Sequence, residues 1–441
     1  MDSALRDLTK LKKLLLIYRE LMDSFVNEFY VKKLGLAESL KSNSLQVEDL
    51  VYLLDNFTDQ PTYNSPPRVF SLHLLCLKSV SKYLQFNYCT RRTFYSNLPP
   101  EWEHELESFV PDEKLPNLCK YKIKPKKEHE ILRHGGLLKK LINEFLPDSV
   151  IVDIGSGQGH LTRYLSMFSD IKTISIEGNE LFYDRANEID NFPMKKLTKK
   201  ALDTVNPIHL NVKINSDSDL CSLLNQEKNN ILIGLHACGD LSDRIIQYFH
   251  QISSVKALVL VPCCYMKKVV DHADEIVIDA NFKLSYSARE SACHNITSYL
   301  QRLKDPTSHE MLKLQAYRAK AEEILSLNGV HVKRSKPFKS SRKNLKNFYQ
   351  FLEMFIKVNE IENSSSILES IDPCKDPFDG KDDWMDVVKF HAVRLLLCPL
   401  IEAYILIEKL IYLKNKGYRS CLYRLFDYEK SPRNICIIAV K

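Results

Sequence analysis

Asp153, Gly155, Ser156, Gly157 and Gly159 fall within one stretch, VIVDIGSGQGHL at residues 150–161. An apolar run ends in an acid, and three alternating glycines follow. Leu161, Tyr164, Leu165 and Phe168 then share one face at helical spacing, so the stretch reads as strand, glycine loop, helix. Glycine lets the backbone turn sharply and meet a ligand with no Cβ in the way. The next strand candidate, residues 171–176, runs into Glu177, which stands 22 residues after Gly155. A carboxylate at that spacing suits a ribose diol. The dinucleotide fingerprint is G-x-G-x-x-G, with a helix N-terminus turned to pyrophosphate. Here the spacing is G-x-G-x-G behind an acid. S-adenosylmethionine has no pyrophosphate and carries a sulfonium and an ammonium, which acids suit. We therefore expect S-adenosylmethionine as cofactor, held by Asp153, Gly155, Ser156, Gly157, Gly159 and Glu177. A glycine turn that binds nothing would not account for loop, helix and acid together.

In parallel α/β sheets ligands sit beyond the carboxyl ends of the strands. After the fourth strand candidate comes Leu235-His236-Ala237-Cys238-Gly239-Asp240, and after the fifth Pro262-Cys263-Cys264-Tyr265-Met266-Lys267. Four acceptor chemistries are open to these groups. A base amine would be stacked on an aromatic ring; Pro262 to Tyr265 shares only its proline and its aromatic with the Asn-Pro-Pro-aromatic tetrapeptide of amino-methyltransferases. A pyrimidine C5 would be attacked by Cys263 or Cys264 as thiolate, assisted by Cys238 or Asp240. A ribose 2′-hydroxyl needs a base, which Asp240, His236 or Lys267 can supply. A protein side chain is the fourth. The candidate catalytic set is Asp240, Cys264, Tyr265 and His236. Each has a structural alternative: His236 bonding the strand end, a cysteine packed as a small apolar group, Asp240 capping the following helix. Upstream, Pro125 to Glu130 opens a helix running to Phe145. It brings Lys126 and His129 within reach of cofactor or substrate, and Lys126 joins the cofactor set.

The elements that must position these groups change character along the chain. Residues 1–120 read as a helical N-terminal region, with helices at Leu11–Phe29, Val69–Leu84 and from Pro99 or Pro100, and a break at Thr58–Pro67. From about 121 strands alternate with helices, the pattern of a parallel sheet covered on both faces. Strands are expected at 150–154, 172–176, 209–214, 231–236 and 256–261. A terminal pair follows at Ser420–Phe426 and Asn434–Val440. Five parallel strands and a closing hairpin give an α/β class I (Rossmann-like) fold with a seven-stranded sheet, its last strand inserted antiparallel. Residues 121–441 would be the domain, with a helical insertion at about 283–417 between the fifth and sixth strands.

The chain has 441 residues, 27% charged and 44% hydrophobic, with net charge +6. This is a globular composition, and the charge alone is too mild to claim nucleic acid. Residues 333–346 hold Lys333, Arg334, Lys336, Lys339, Arg342, Lys343 and Lys346 and no acid, while residues 359–386 hold nine acids and two lysines. The basic run is a candidate phosphate contact, with Phe338, Phe348 and Tyr349 nearby for stacking; a solvated charged face is the alternative. Twelve cysteines occur with no C-x-x-C pair, so no metal is expected. No secretory signal is read, so an intracellular, reducing location in cytoplasm or nucleus is expected. Leu395 to Leu413 is long and apolar but contains Pro399, Glu402, Glu408 and Lys409. Central charges cost about 2.5 to 3.5 kcal/mol each in a bilayer, so a buried or partner-facing helix is the better reading. Oligomeric state is not legible.

PKKEHE, VDIGSGQGHL, GLHACGDLS, VPCCYMK, SARESACHN and SPRNICIIAVK, in this order between about 121 and 441, resemble the methyltransferase-like-twenty-five family, also labelled ribosomal-RNA adenine dimethylase domain-containing. The resemblance implies an S-adenosylmethionine-dependent methyltransferase with cofactor contacts at Asp153, Gly155, Gly157 and Glu177. The His-x-Cys-Gly and Cys-Cys pairing is also similar to a eukaryotic tRNA 2′-O-methyltransferase family, which implies RNA as substrate. The chain departs from true adenine dimethylases, because no Asn-Leu-Pro-Tyr type tetrapeptide follows the fourth strand. The alternatives are a catalytically inactive methyltransferase fold acting as binding scaffold and a protein methyltransferase.

Overall fold

The computed structural model describes residues 3–34, 45–55, 66, 69–84, 91–196, 205–214, 220, 224, 229–267, 276, 278–279, 281–332, 347–362, 364–378 and 383–441. Two compact units divide the chain: residues 1–14, 85–293 and 401–441 form one, and residues 15–84 and 294–400 the other. These limits differ from those expected at 120, 283 and 417. Composition does not mark the difference, because both units contain apolar-faced helices and only packing sorts them.

The first unit is built on a sheet of eight strands. They are β1 (Thr93–Phe94), β2 (Val150–Ile154), β3 (Thr173–Glu177), β4 (Ile208–Asn211), β5 (Asn230–Cys238), β6 (Val255–Cys263), β7 (Arg419–Arg424) and β8 (Ile435–Val440). The order is β1-β7-β8-β6-β5-β2-β3-β4. β4, β3, β2, β5 and β6 run parallel, and β8 lies antiparallel between β6 and β7. The central strands are apolar on both faces: every residue of β2 and β8 is buried, as expected where helices cover both sides. The sheet therefore has the class I methyltransferase form. It has eight strands rather than seven because Thr93 and Phe94 add an antiparallel edge against Tyr423 and Leu422, a pairing too short to leave a periodicity. The helix Pro125–Phe145 begins with proline at its first position, where the missing N–H costs nothing.

That helix contains an unusual pair, Gly135-Gly136, both buried. A Cβ at Gly135 would lie 2.5 Å from Cε1 of Tyr164, on the helix His160–Ser169 that follows the glycine loop. Glycine there lets the two helices touch backbone to ring.

Glu402, Glu408 and Lys409 fall in the helix Cys398–Asn415. With the helix before it, this makes an apolar stretch over Trp384–Asn415 whose most apolar window is wholly buried inside the protein. Pro399 lacks an N–H, and the stretch turns at residues 396–397. Its charges are matched within the first unit. Lys409 pairs with Asp243, Glu402 accepts from Tyr265 Oη at 2.9 Å and Arg433 Nη1 at 2.9 Å, and Glu408 accepts from the Ile278 amide at 3.1 Å. Buried charges persist where they are paired.

The second unit is helical. Phe348, Phe351, Phe355, Tyr317 and Phe378 fill its core. Phe348 is thus 1% exposed and packs inside, which corrects its expected stacking role. The basic run 333–346, with Phe338, lies outside the described residues.

Replacing a helical glycine by alanine ordinarily stabilises by about 1 kcal/mol. Gly135→Ala is expected to reverse that sign and destabilise by roughly 1–3 kcal/mol through overpacking against Tyr164. A urea midpoint unchanged or raised would refute this contact.

Candidate active site

Three groups of functional side chains meet the carboxyl edge of the parallel strands. The first is the glycine bend. Gly155, Gly157 and Gly159 all have positive φ, at 72°, 58° and 65°. The bend is tied to the neighbouring strand: the Gly155 amide donates to Ile176 O at 2.8 Å. The Gly157 amide donates to Glu177 Oε2 at 2.8 Å, and the Asn179 amide donates to Glu177 Oε1 at 2.8 Å. Glu177 therefore closes the bend onto the end of β3. A Cβ on Gly157 would meet nothing within 4 Å, so this face of the loop is open. Asp153 is 2% exposed; Oδ2 accepts from the Thr162 hydroxyl at 2.9 Å. Its Oδ1 and the Ser156 Oγ are buried with no hydrogen-bond partner among the described residues. Burial pushes the Asp153 carboxyl up to about 6, against the Thr162 hydrogen bond and the Lys127 charge. Unsatisfied buried acceptors are costly, and an open loop face beside them fits a ligand that carries donors and positive charge.

Beneath the bend, Arg163 is 1% exposed and binds Asp190, with Nη2 donating to Gln158 O at 3.3 Å and Ala186 O at 3.2 Å. His209 links Asp190 (Nε2, 2.8 Å) to the Ser175 hydroxyl (Nδ1, 2.5 Å), and a Cβ on Gly159 would stand 2.8 Å from its ring. This network supports the loop from below.

The second group centres on Glu130, a residue the sequence did not single out for chemistry. His236 Nε2 lies 2.7 Å from Glu130 Oε1, and the Ser431 hydroxyl donates to the same oxygen at 2.8 Å. Lys126 Nζ stands 3.4 Å from Oε1 and Lys127 Nζ 3.8 Å from Oε2. Burial would raise this carboxyl, but the His236 hydrogen bond and charge, with Lys127 and Lys126, draw it down to about 2. An ionised carboxylate only accepts, so His236 Nε2 carries the proton and, in the neutral ring, Nδ1 keeps its lone pair. Lys126 is 55% exposed and engaged with Glu130; the lysine whose charge reaches Asp153 is Lys127, itself lowered chiefly by burial. His129 instead accepts from the Asp427 amide at 3.1 Å, which fixes the terminal turn.

The third group is Cys238, Cys263 and Cys264, whose sulfurs all lie within 4.8 Å of one another. Cys238 Sγ is 3.2 Å from Cys263 Sγ, and Cys263 Sγ 3.7 Å from Cys264 Sγ. The Cys263 hydrogen bond holds the Cys238 thiol down to about 6 against burial, helped by Cys264, Lys267 and His236. Cys263 is pushed up, by its bond to Cys238 and by burial.

Of the expected catalytic residues, Tyr265 has another task. Tyr265 is 4% exposed, with its hydroxyl committed to the buried Glu402. It supports the helix beyond rather than presenting a ring to a substrate. Asp240 is the first residue of the helix Asp240–Gln251, and Gly239 takes the cap position at φ 57°, so Asp240 is not the cap. Beside these strand ends lies a small pocket lined by Gly239, Ser242, Tyr265, Arg289 and Lys409 among others.

The opposed shifts of Asp153 and Glu130 set a pH signature. The Asp153 carboxyl is raised when folded, so its stabilising contribution is complete below about pH 4 and is lost as pH rises through about 6. Glu130 is depressed, so its contribution is present above about pH 4.5 and is lost as pH falls towards about 2. Asp153→Asn should match the parent chain in urea midpoint near about pH 4 and exceed it near about pH 7. Parallel pH curves for the two chains would show that Asp153 does not carry the shift.

The comparisons agree with this geometry. Residues 126–269 match the model of a family described as Methyltransferase domain. "Probable methyltransferase-like protein 25" of Homo sapiens is 23% identical over 288 residues, covering 62% of this chain and 47% of that protein. The Mus musculus protein of the same name is 26% identical over 247 residues, covering 52% and 40%. The match thus spans less than half the length of these relatives. Among solved structures, the plantazolicin methyltransferase BpumL in complex with SAH is matched at 14% identity, covering 68% of this chain and 94% of that one. Its TM-score is 0.23, too low to bear on function. Residues 126–269, within a sheet of the class I form, thus match a methyltransferase domain, and the chain is similar to the methyltransferase-like protein 25 sequences.

Proposed function

We propose that the chain transfers the methyl group of S-adenosylmethionine to a hydroxyl acceptor on RNA. The observation that carries the cofactor half is the contact between the Gly157 amide and Glu177, together with an Asp153 Oδ1 that has no hydrogen-bond partner among the described residues. Asp153, Ser156, the glycine bend and Glu177 would hold the cofactor. When bound, it supplies an activated methyl group at a cationic sulfonium. The chain's own contribution is to align the acceptor, which can lower the barrier most, and to take its proton. His236 is placed for that task. Glu130 holds its Nε2–H, as an orienting carboxylate does in catalytic pairs, and leaves Nδ1 as the acceptor. RNA as substrate is supported by the His-x-Cys-Gly and Cys-Cys motif order and the seven-base run at 333–346. The scaffold and protein-methyltransferase alternatives become outcomes of the test.

S-adenosylhomocysteine should bind the full chain in calorimetric titration. Glu177→Ala should weaken it by roughly 10- to 100-fold, the value of a charged hydrogen bond. With labelled S-adenosylmethionine, label should enter total RNA. His236→Ala should cut that rate by about a hundredfold or more while S-adenosylhomocysteine affinity stays unchanged. Label in protein alone would overturn the RNA reading. No binding of S-adenosylhomocysteine would overturn the function altogether.

A further inference from the structure

Successive residues of a strand point to opposite faces, so two adjacent cysteines and a third on the next strand do not ordinarily converge. Here two departures from regular backbone bring them together. The pairing of β5 with β6 shifts register between Leu235 and Ala237, and the residue between them, His236, has φ 69°. That shift sets Cys238 opposite Cys263. Cys264 then takes φ 48°, a left-handed conformation that costs a non-glycine residue roughly 1–2 kcal/mol. It returns its sulfur to the side of the other two. The turn that follows closes over the group: the Lys267 amide donates to Cys264 O at 2.8 Å and the Gly239 amide to Cys263 O at 3.1 Å. A Cβ on Gly239 would collide with Lys267 O, so glycine is required for this closure.

We propose that Cys238, Cys263 and Cys264 form a three-thiolate zinc site. Zinc–sulfur bonds of about 2.3 Å in a tetrahedron place sulfurs about 3.8 Å apart. The sulfurs here stand 3.2 and 3.7 Å apart along the cluster and within 4.8 Å throughout, so small movements suffice. Zinc entry displaces the thiol protons to solvent, and no electron transfer is involved. Three thiolates and a divalent ion leave one net negative charge, and the Lys267 side chain, whose charge reaches Cys238, offsets it. Three protein ligands leave a fourth position for water or another donor, the arrangement of sites that keep an exchangeable position. The site stands independently of the methyltransferase reading. Its nearest rival is a redox pair, in which Cys238 and Cys263 close a cross-strand disulfide.

The test uses the full chain, purified under reducing, anaerobic conditions from zinc-supplemented growth. Elemental analysis should find a single zinc per chain, retained in Cys374→Ser, whose thiol is exposed and distant in sequence. Cys263→Ser and Cys264→Ser should lower zinc affinity by about a hundredfold or more. Because a variant can fail to fold, cobalt(II) titration of the unmodified chain provides a second reading. It should give thiolate-to-cobalt charge-transfer absorption and intense tetrahedral d–d bands, abolished by stoichiometric zinc. A folded chain with neither zinc nor cobalt–thiolate absorption would overturn the site, as would zinc content unchanged on removing all three cysteines. A metal-free chain that, on exposure to air, closes a Cys238–Cys263 disulfide with oxygen taking the two electrons and the thiol protons would overturn it in favour of the redox pair. S-adenosylhomocysteine titration of the same samples separates the two hypotheses: binding without metal sinks only the zinc site, and metal without binding sinks only the cofactor reading.

Discussion

The Glu177 carboxylate accepts from two backbone amides, Gly157 on the bend after β2 and Asn179 beyond β3. A carboxylate draws strongly on N–H donors, and the positive φ of Gly155, Gly157 and Gly159 lets the bend turn tightly enough to present the Gly157 amide to it. This single interaction sets where the open face of the bend points. The buried Arg163–Asp190–His209–Ser175 network beneath holds the loop from the opposite side. The bend is thus fixed between a charged scaffold below and an acid at its rim, with Asp153 contributing an oxygen that has no hydrogen-bond partner among the described residues.

Much of this was legible in the sequence because it is local. The glycines, Asp153 and Glu177 sit on adjacent strand–loop units, and the strands announce themselves as apolar runs bounded by turns. The predicted strands at 150–154, 172–176 and 256–261 correspond to β2, β3 and β6 within a residue or two at either end. What stayed hidden depends on contacts between distant residues. Glu130 gathers His236 and Ser431 from far along the chain, and nothing in the spacing of PKKEHE marks it as more than a charged helix start. Tyr265 looked like a stacking ring because its partner Glu402 lies beyond a long helical segment. The convergence of the three cysteines is hidden because C-x-x-C spacing detects only thiols on one turn. Cys238 and Cys263 lie on two strands and Cys264 just after the second, and a register shift and a left-handed residue bring them together.

The same reasoning explains the apolar helix near the end of the chain. Its charges read as obstacles to burial, yet each has a partner: Lys409 pairs with Asp243, Glu402 with Arg433 and the Tyr265 hydroxyl, and Glu408 accepts from the Ile278 amide. Elements that carry candidate chemistry and elements that carry load therefore alternate along this edge. His236 is held by Glu130 and the thiols cluster at the strand ends, while Tyr265, a neighbour in sequence, is committed to support.

A crystal structure of the chain with S-adenosylhomocysteine bears most directly on the central claim. The account predicts the ligand against Gly155 to Gly159, its ribose hydroxyls on the Glu177 carboxylate and its charged end beside Asp153. A ligand bound elsewhere, with Glu177 still committed to the Gly157 and Asn179 amides alone, would contradict it.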